Sequence, residues 1–477
     1  MEEESLEDPI RVLPPEVALE IFSYLTAEEL LVIRQVNSLW NRLVNSECLW
    51  RRLCEEKDIL DYTPTIAYEK TPIKDFCNYA KIYLIFEKTI KNNWISGRSH
   101  ILTELSSAIT ESLVCWKRTF VRTYRYGNFF DIFTVDRQCK VNRLQRINTR
   151  LHLQGRISAD INENWLGVSC LNAVLLYSKD TSGQYKLKWM LMIIKEKSAA
   201  LRHLYVDEQT PDQQIDDFIK KYFTGYWAVY FWCLYPKYIW IWLEFDYKII
   251  QLDDSTKEAV ITHTFLAGAN EMRWDEKGVV VLDHFRVYVY QPVGTLSFTY
   301  PEGYSGQNNS EVTQFEKIAL NQSSVAFIRM TDRSSIIVVD RESNNVLQID
   351  ELSPEMLTLD PSKPLIYALF HNSPTKINRS SSGLWTIKCF SSTQGRTIWS
   401  TQTTYLPEIG RLLVINKKFL LLTPVRPGVC KFSLYDCRNG KLLSIIEEDS
   451  HPLCVTDIFA VCEIFKRTND IFVKCYL

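Results

Sequence analysis

The spacing of apolar positions divides the chain into a short N-terminal helical part and a much longer β-rich part. Val17, Ile21 and Leu25 recur every four residues, which places them on one face of a helix. The sequence TAEE at residues 26–29 has the composition of a capping box, which starts a new helix. Short apolar stripes of the same kind follow. The pattern predicts three or four short helices within residues 12–57, with mainly helical structure continuing through residues 58–104.

Beyond about residue 105 the pattern changes to short apolar runs separated by polar turns. Seven segments consist of a hydrophobic strand, a turn that contains Asp, Asn, Ser or Gly, and a second hydrophobic strand. Turns such as Asn344-Asn345 and Asn439-Gly440 are typical of β-hairpins. The seven predicted hairpins are DIFTVDRQCKVNRL, AVLLYSKDTSGQYKLKWML, YKIIQLDDSTKEAVITHTF, RVYVYQPVGTLSFTY, SIIVVDRESNNVLQI, LWTIKCFSSTQGRTIWS and KFSLYDCRNGKLLSII.

The spacing of these hairpins indicates a repeat. One hairpin recurs about every 50 residues, which is near the length of a four-stranded propeller blade. Radial repetition also protects the sheet edges that one very large sheet would expose. The sequence therefore predicts an all-β propeller over residues 105–477, with seven blades as the favoured count and eight as the alternative. A pair of β-sandwiches is the alternative fold.

Residues 226–243 are almost entirely apolar and approach the length of a membrane-spanning helix. Pro236 and Lys237 interrupt this stretch, and its Val, Ile, Tyr and Trp residues favour strands. We therefore predict two buried strands joined by the turn YPKY, rather than a membrane span.

Four motifs of the N-terminal part resemble those of the F-box family: LPPE at 13–16, IFSYL at 21–25, VNSLW at 36–40 and LWRRLC at 49–54. The resemblance implies a small all-α F-box at residues 12–57, after an acidic N-terminal tail at residues 1–11. It also implies that this domain docks onto a Skp-type adaptor, which is held by a cullin and a RING protein. The residues expected to bind the adaptor are Leu13, Pro14, Val17, Ile21, Leu25, Leu30, Val36, Trp40 and Trp50.

The number of apolar faces gives a physical reason to expect a partner. Three or four short helices carry more apolar surface than so few residues can cover among themselves. The excess would remain as an exposed apolar patch unless another protein covered it. The alternative is that these residues only form the core of a helical subdomain.

The segment that follows the box is similar to the connector of F-box proteins of the WD-repeat class. The similarity rests on a basic helix that ends in Asn93-Trp94 and is followed by Gly97-Arg98. The repeats themselves depart from the WD pattern, because no Gly-His pair opens a unit and no Trp-Asp pair closes one; Trp274-Asp275 is a chance match that precedes a strand. The departure leaves the blade boundaries undefined.

Composition narrows the class of protein further. The chain has 477 residues and a formal charge of −2, so no global charge draws it to nucleic acid or to anionic lipid. Its 13 cysteines show no metal-ligand spacing and are expected to be reduced, mostly buried thiols. The acidic N-terminus lacks the apolar core of a signal peptide. These features predict an intracellular protein of the cytoplasm, the nucleus or both, with no nucleic-acid or membrane partner.

Motifs that would carry chemistry are absent from the sequence. The seven histidines stand at no metal-binding spacing, and there is no GxSxG, phosphate-binding loop or GxGxxG. We therefore expect a protein that is not an enzyme and that has no catalytic residue, no metal site and no cofactor. Four aspartates within residues 207–217 could form an acidic docking patch, or could simply be solvated residues of an inserted loop or short helix.

The resemblance also suggests where a target protein would bind. Arginines on one face of F-box propellers hold phosphorylated targets through bidentate hydrogen bonds. The candidates here are Arg273, Arg286, Arg329, Arg333 and Arg396. Their positions in the sequence do not show whether they share a face.

The resemblance to F-box proteins therefore implies that the protein is the substrate receptor of a cullin–RING ubiquitin ligase. The box would bind the Skp-type adaptor, and the propeller would hold a protein target whose identity the sequence does not reveal. One alternative is a scaffold that binds its adaptor but directs no ubiquitylation. Another is a propeller enzyme, against which the absence of a nucleophile or metal motif argues.

Overall fold

The computed structural model describes most of the chain. The described residues are 8–57, 59–60, 75–96, 100–105, 110–124, 128–136, 140–151, 157–195, 199–223, 229–235, 237–243, 246–266, 269–283, 286–301, 314–330, 334–351, 354–371, 385–403, 409–415, 417–424, 430–448, 450–455, 459–464 and 471–475. The chain divides into two compact units, one formed mainly by Met1–His100 and the other mainly by Ile101–Asp136 and Val141–Lys474.

The first unit is helical, as the apolar spacing predicted. Its helices are α1 Pro9–Val12, α2 Pro15–Ser23, α3 Ala27–Ile33, α4 Ser38–Val44, α5 Glu47–Glu56 and α6 Asn78–Ser96. The predicted capping box is confirmed: the Glu29 backbone N–H donates to the Thr26 hydroxyl, and the Thr26 backbone N–H donates to the Glu29 carboxylate at 2.8 Å.

Trp50 lies at the centre of the helical unit and joins its later helices. It is fully buried, and its indole Nε1 donates to the Val44 carbonyl oxygen at 2.7 Å. Its ring meets Phe76 edge-on with 6.0 Å between centroids and Tyr83 with 5.8 Å. Burial raises the pKa of the Cys54 thiol, on the same helix as Trp50, to about 11. These contacts hold α4, α5 and α6 in one core.

The second unit consists of consecutive antiparallel sheets, which we number as blades 1–8 in chain order. Blade 1 contains β2 Thr110–Trp116, β3 Thr119–Tyr124, β4 Phe129–Val135 and β5 Val141–Asn148, and blade 2 contains β6 Ile157–Ile161, β7 Trp165–Cys170, β8 Ala173–Lys179, β9 Tyr185–Lys195 and β10 Ala199–Tyr205. Blade 3 contains β11 Val229–Leu234, β12 Tyr238–Leu243, β13 Asp246–Asp253 and β14 Glu258–Leu266. Blade 4 contains β15 Ala269–Asp275, β16 Gly278–Asp283, β17 Val287–Tyr290 and β18 Leu296–Tyr300.

Blades 5–8 continue the same order and use both ends of the chain. Blade 5 contains β19 Gln314–Leu320, β20 Ser324–Met330, β21 Ser335–Asp340 and β22 Val346–Asp350, and blade 6 contains β23 Pro354–Leu359, β24 Leu365–His371, β25 Trp385–Ser391 and β26 Thr397–Thr403. Blade 7 contains β27 Ile409–Ile415, β28 Phe419–Pro424, β29 Cys430–Asp436 and β30 Leu442–Glu448. Blade 8 contains β31 Ser450–Val455, β32 Phe459–Ile464 and β33 Ile471–Cys475, together with β1 His100–Leu105.

The first strands of the blades line the inside of a closed ring. The first strand of blade 1, β2, contacts both β6 of blade 2 and β31 of blade 8, and similar contacts join the first strands of blades 4 to 7. Blade 8 is completed by β1, which pairs with the C-terminal strand β33. The second unit is therefore a β-propeller whose described strands form eight blades, which is the alternative count and not the favoured count of seven.

The favoured count was wrong for a topological reason. The seven predicted hairpins coincide with the third and fourth strands of blades 1 to 7, where a short turn joins the two. In blade 8 the third and fourth strands are β33 and β1, which lie at opposite ends of the chain and cannot be joined by a hairpin. A count of hairpins therefore gives one blade too few.

Apolar side chains fill the spaces between successive blades. Adjacent residues of a single strand face opposite neighbours: Leu175 packs in the cluster shared with blade 1, whereas Val174 and Leu176 pack in the cluster shared with blade 3. Corresponding clusters join blades 3 and 4, 4 and 5, 5 and 6, and 6 and 7. The sheets of blades 2 to 6 are thus buried on both faces, which explains why their central strands are continuously apolar.

Bulges recur at corresponding places in the blades. Seven of the eight first strands shift register against their second strand, and six fourth strands shift against their third. A bulge inserts one residue and reverses which face the following side chains occupy. The alternation of apolar and polar residues is therefore broken in the innermost and outermost strands.

Side chains also join successive blades at one end of the ring, which we call the turn end. It carries the turns between first and second strands and between third and fourth strands. Three tryptophans each donate to the turn after the third strand of the next blade: Trp189 to Asp254, Trp240 to the Pro292 carbonyl and Trp399 to the Cys437 carbonyl, all at 3.0 Å.

A second set of bonds at the turn end connects blades 3 to 6. The Tyr235 hydroxyl donates to the Asp275 carbonyl at 2.8 Å, and Arg341, almost fully buried, makes an ion pair with the Asp275 carboxylate. The Arg341 guanidinium also donates to the Asn321 carbonyl at 3.0 Å, and the Asn321 amide donates to the Asp360 carbonyl at 2.7 Å. The turn end is therefore tied together across blade boundaries.

Two further sequence predictions can be compared with the structure. The apolar stretch at 226–243 contains β11 and β12, as predicted, and no described helix is both long and apolar enough to cross a bilayer. Six described cysteines are free thiols: Cys48, Cys54, Cys77, Cys170, Cys389 and Cys437. Cys115 is disulfide-bonded, so the expectation of reduced thiols is wrong at that position.

Blade 1 contains a buried charged cluster. Asp131 is 1% exposed and accepts two hydrogen bonds from Arg146 at 2.7 Å and one from the Tyr124 hydroxyl at 2.7 Å. Arg122, directly opposite Asp131 on the neighbouring strand, is fully buried. Burial alone would raise the pKa of Asp131, but the hydrogen bonds from Arg146 and Tyr124 outweigh it and hold that pKa below its ordinary value.

Replacement of Asp131 by Asn should destabilise the propeller by about 2–4 kcal/mol, because it leaves buried guanidinium charge without its carboxylate. The loss should appear as a lower denaturant midpoint at pH 7. It should shrink as the pH falls below about 4, where the Asp131 carboxyl of the unfolded chain becomes protonated, and it should be smallest once the pH lies below the lowered pKa of the folded chain. Asp216→Asn is the matched control, since it removes the exposed carboxylate partner of Arg150 and should cost less than about 1 kcal/mol. Equal losses in the two variants would contradict this assignment.

Candidate functional site

The helical unit exposes a set of large apolar side chains near its N-terminus. Six of them are between 44% and 80% exposed: Val12, Val17, Ile21, Tyr24, Val32 and Val36. Because water makes such a patch unfavourable, exposed apolar patches of this kind mark interaction surfaces. We call these six residues the apolar patch.

Helix α2 has one face in the core and one face on the patch. Ala18 and Phe22 are buried, whereas Val17 and Ile21, each one residue earlier, are exposed and lie one helical turn apart. A helix that served only the internal core would carry polar residues on its outer face. The outer face of α2 therefore exposes apolar side chains that the core of the helical unit does not cover.

The chain before the LPPE motif is held against the start of α4. Asp8 caps α1 by accepting from the Ile10 backbone N–H at 3.0 Å. The same carboxylate accepts from the Trp40 indole Nε1, 3.0 Å from each oxygen, and from the Asn37 side-chain amide at 2.8 Å. Val12 and the LPPE motif follow directly in the chain.

The nine residues predicted to bind a partner fall into three groups. Leu30 and Trp50 are fully buried in the core of the unit, so they support the surface from within. Leu13, Leu25 and Trp40 are half-buried. The exposed members are Pro14, Val17, Ile21 and Val36.

Three members of the apolar patch were not among the residues predicted to bind a partner: Val12, Tyr24 and Val32. Tyr24 lies one turn beyond Ile21 on the same face, so continuing the α2 stripe would have found it. Val12 precedes the motif, and Val32 lies on the outer side of α3, where no periodic signal separates an exposed valine from a buried one.

Comparison with known proteins identifies the helical unit. Residues 10–56 match the family model described as F-box-like. These residues form an F-box-like domain. In addition, a segment of 109 residues is 30% identical to F-box/WD repeat-containing protein 8 of Mus musculus, covering 22% of this chain and 16% of that protein. This chain therefore matches only a small part of that relative's length.

Several solved structures are similar to this chain. Sqt1 of Saccharomyces cerevisiae is 10% identical, with a TM-score of 0.47 over 79% of this chain and 98% of that one. The Dos1 propeller is 9% identical, with a TM-score of 0.47 over 80% and 96%. The WD40 domain of SCAP from fission yeast is also 9% identical, with a TM-score of 0.46 over 79% and 96%. The propeller assignment for this chain rests on its own strand pairing. The chain thus joins an F-box-like domain to a β-propeller whose described strands form eight blades.

The five candidate arginines do not share one face of the propeller. Arg396 lies in the turn between β25 and β26, at the turn end. Arg273 lies in β15, next to the turn end, and is paired with Glu271 at 2.6 Å. Arg286, between β16 and β17, lies at the opposite end, which we call the loop end.

Arg329 also lies at the loop end, near the end of β20. Its Nε is buried and makes no hydrogen bond within the described part of the chain. Arg333 lies outside the described residues. Of the described candidates, only Arg286 and Arg329 therefore lie at the loop end.

The aspartates of the inserted segment are engaged with the propeller. The segment forms α7 Asp212–Tyr222, which follows the additional fifth strand of blade 2. Asp212 and Asp216 pair with Arg150 at 2.6 and 3.1 Å, and Asp207 pairs with Lys257 at 2.8 Å. Three of the four aspartates thus fasten this segment, and Asp217 accepts from the Gln213 amide at 2.9 Å.

One carboxyl in the ring has an unusual pKa. Asp160 lies in β6, the innermost strand of blade 2, and burial raises its pKa to about 7. Its side chain accepts from the backbone N–H groups of Ile161 and of Leu234 in blade 3. It therefore links two inner strands. In the described part of the chain, no cluster of three His, Cys, Asp or Glu residues could hold a metal ion.

Asp160 should make the propeller less stable as the pH rises. Its pKa is about 7 in the folded chain and about 4 in an unfolded one. Between those values the folded chain holds a proton that the unfolded chain releases, so stability falls with increasing pH. Asp160→Asn should remove the part of this fall in stability that Asp160 causes. Its free energy of unfolding should exceed that of the wild type by on the order of 1–3 kcal/mol at pH 8 and by almost nothing at pH 4.

Denaturant titrations of the wild type and of Asp160→Asn at several pH values between 4 and 8 would measure this difference. The difference between the two proteins isolates Asp160 from other titrating groups. A constant difference across the range would show that Asp160 does not carry this proton.

Proposed function

We propose that this protein is the substrate receptor of a cullin–RING ubiquitin ligase. The F-box-like domain would bind a Skp-type adaptor, which a cullin and a RING protein would hold. The propeller would bind the target protein. The observation that carries the first step is the apolar patch, because it lies on the outer face of the domain that matches the F-box-like family.

The patch has the properties of a protein-binding surface. Its residues come from three successive segments, α1, α2 and α3 with the turn after it, so a partner would contact several elements at once. Burial of one large apolar side chain contributes about 1.5–3 kcal/mol. Several such residues would supply the affinity of a stable complex, even after the cost of association is subtracted.

The contribution of such a receptor to ubiquitylation is proximity. A bound target presents its lysines to a ubiquitin-loaded enzyme at high effective concentration. The receptor would need no catalytic residue for this role, because the chemistry takes place on other subunits.

We further propose that the target binds at the loop end of the propeller. The turn end is occupied by hydrogen bonds that tie one blade to the next. The loops at the loop end extend from a rigid ring and can vary without disturbing its core. Arg286 and Arg329 are the described candidates for a charged contact there.

Charge placed in the apolar patch should abolish adaptor binding. Val17→Asp combined with Ile21→Asp puts two carboxylates where an apolar contact is expected, and affinity for a purified Skp-type adaptor should fall at least about 100-fold. Calorimetry or interferometry would measure it. The matched control is Val260→Asp, an equally exposed valine in the outermost strand of blade 3. Full binding by the double variant would rule out this docking surface.

Target binding should depend on the loop end and not on the turn end. Proteins captured in cells by a form lacking residues 8–57 should be lost on Arg286→Ala with Arg329→Ala and retained on Arg396→Ala. The abundance of each captured protein should rise when the box is deleted. Captured proteins whose abundance and ubiquitylation do not respond to the box would instead identify a scaffold.

A further inference from the structure

The residues before the F-box motifs are fixed by one carboxylate. Asp8 binds donors that lie 29 and 32 positions later in the chain, on the side chains of Asn37 and Trp40. Loops of this length lose considerable entropy when their ends are joined. These contacts therefore belong to the tertiary structure of the helical unit and not to a local turn.

The donors that Asp8 binds are themselves structural. Asn37 caps α4 by accepting from the Trp40 backbone N–H at 2.9 Å. The Trp40 ring packs on Phe22 of α2, with 5.4 Å between centroids. The carboxylate therefore ties the N-terminal arm, residues 8–12, to the start of α4 and to the side of α2.

The chemistry of the site favours a carboxylate. Three N–H groups converge on Asp8, and a carboxylate has two oxygens that only accept. Burial alone would raise the pKa of Asp8, but the hydrogen bonds from Trp40, Asn37 and Ile10 outweigh it and hold the pKa below its ordinary value. Asn would keep one accepting oxygen and would direct an N–H₂ group toward the remaining donors.

The hydrogen bonds that Asp8 accepts from Ile10, Asn37 and Trp40, which we call the clamp, join two segments that carry members of the apolar patch. Val12 ends the arm that begins at Asp8, and Val36 immediately precedes Asn37. Both valines are more than half exposed. Their relative placement depends on the arm staying against the start of α4, because α1 has only four residues and cannot fix its own position.

We propose that Asp8 is a positioning residue for adaptor docking, whose carboxylate holds the N-terminal arm so that the apolar patch is formed before the partner arrives. This inference rests on the proposed function. A surface that is already ordered avoids the entropy cost of ordering on binding and so binds more tightly.

Asp8→Ala should weaken binding to a purified Skp-type adaptor about 5- to 20-fold. The unfolding transition of the propeller should not change. Asp8→Asn should restore part of the affinity, because its oxygen can still accept from Trp40. Glu47→Gln, which neutralises an exposed acid in the first turn of α5, is the control and should bind as the wild type does.

A double-mutant cycle tests whether Asp8 acts through Trp40. Trp40→Phe keeps a ring against Phe22 but removes the indole donor. Asp8→Ala should therefore weaken binding by a smaller factor in the Trp40→Phe background than in the wild type. An equal factor in both backgrounds would overturn the proposed route.

A measurement on the free protein tests the clamp without the adaptor. In ¹⁵N-tryptophan-labelled protein, the indole signal that disappears in Trp40→Phe belongs to Trp40. Its N–H should exchange faster with solvent in Asp8→Ala than in the wild type. Unchanged exchange would refute the clamp.

The proposed function and the positioning role of Asp8 can be refuted separately. A wild-type protein that does not bind the adaptor would refute the proposed function, whatever the state of Asp8. Wild-type binding together with unchanged binding by Asp8→Ala would leave the proposed function standing and refute the positioning role.

Discussion

Packing between blades is the interaction on which the propeller depends. The sheets of blades 2 to 6 each have two apolar faces, and each face is covered by the neighbouring sheet along the ring. A single sheet could not shelter both faces. Both faces of every blade are covered only when the last blade contacts the first. Closure of the ring is therefore required by the packing between blades. The hydrogen bonds at the turn end add directional specificity to this packing.

This requirement also explains why the propeller was predictable from the sequence while its blade count was not. The runs VLLY in β8 and IIVV in β21 are continuously apolar because both faces are buried, and the turns after the third strands are marked by Asp, Asn and Gly. Gly440 shows how closely such a turn is constrained: its φ is +68°, and an added Cβ would clash with the Trp399 ring. The blade that both chain ends share has no such turn, and bulges reverse the alternation in the innermost and outermost strands.

More of the structure could be predicted from the sequence for the helical unit than for the propeller. Its motifs lie close together, and its capping residues act within a single turn, as Thr26 and Glu29 do. Periodicity identified the stripe of Val17 and Ile21 on α2 but could not separate it from the apolar positions of other helices that serve the core, such as Leu30 in α3 and Trp50 in α5. The role of Asp8 could not be found from spacing, because its partners are about 30 residues away. The candidate arginines were chosen from turns, and only the topology separates the two ends of the ring.

The pairing of β1 with β33 has a consequence for synthesis. When β1 leaves the ribosome, about 365 residues remain to be made before its partner strand exists. At typical elongation rates this takes on the order of tens of seconds. Throughout that time blades 1 to 7 can form only an open arc, whose two terminal faces resemble the seams that bury apolar side chains elsewhere in the ring. Newly made chains are therefore exposed to aggregation and to chaperones until translation is almost complete, and a stop codon before residue 450 would leave that arc permanently open.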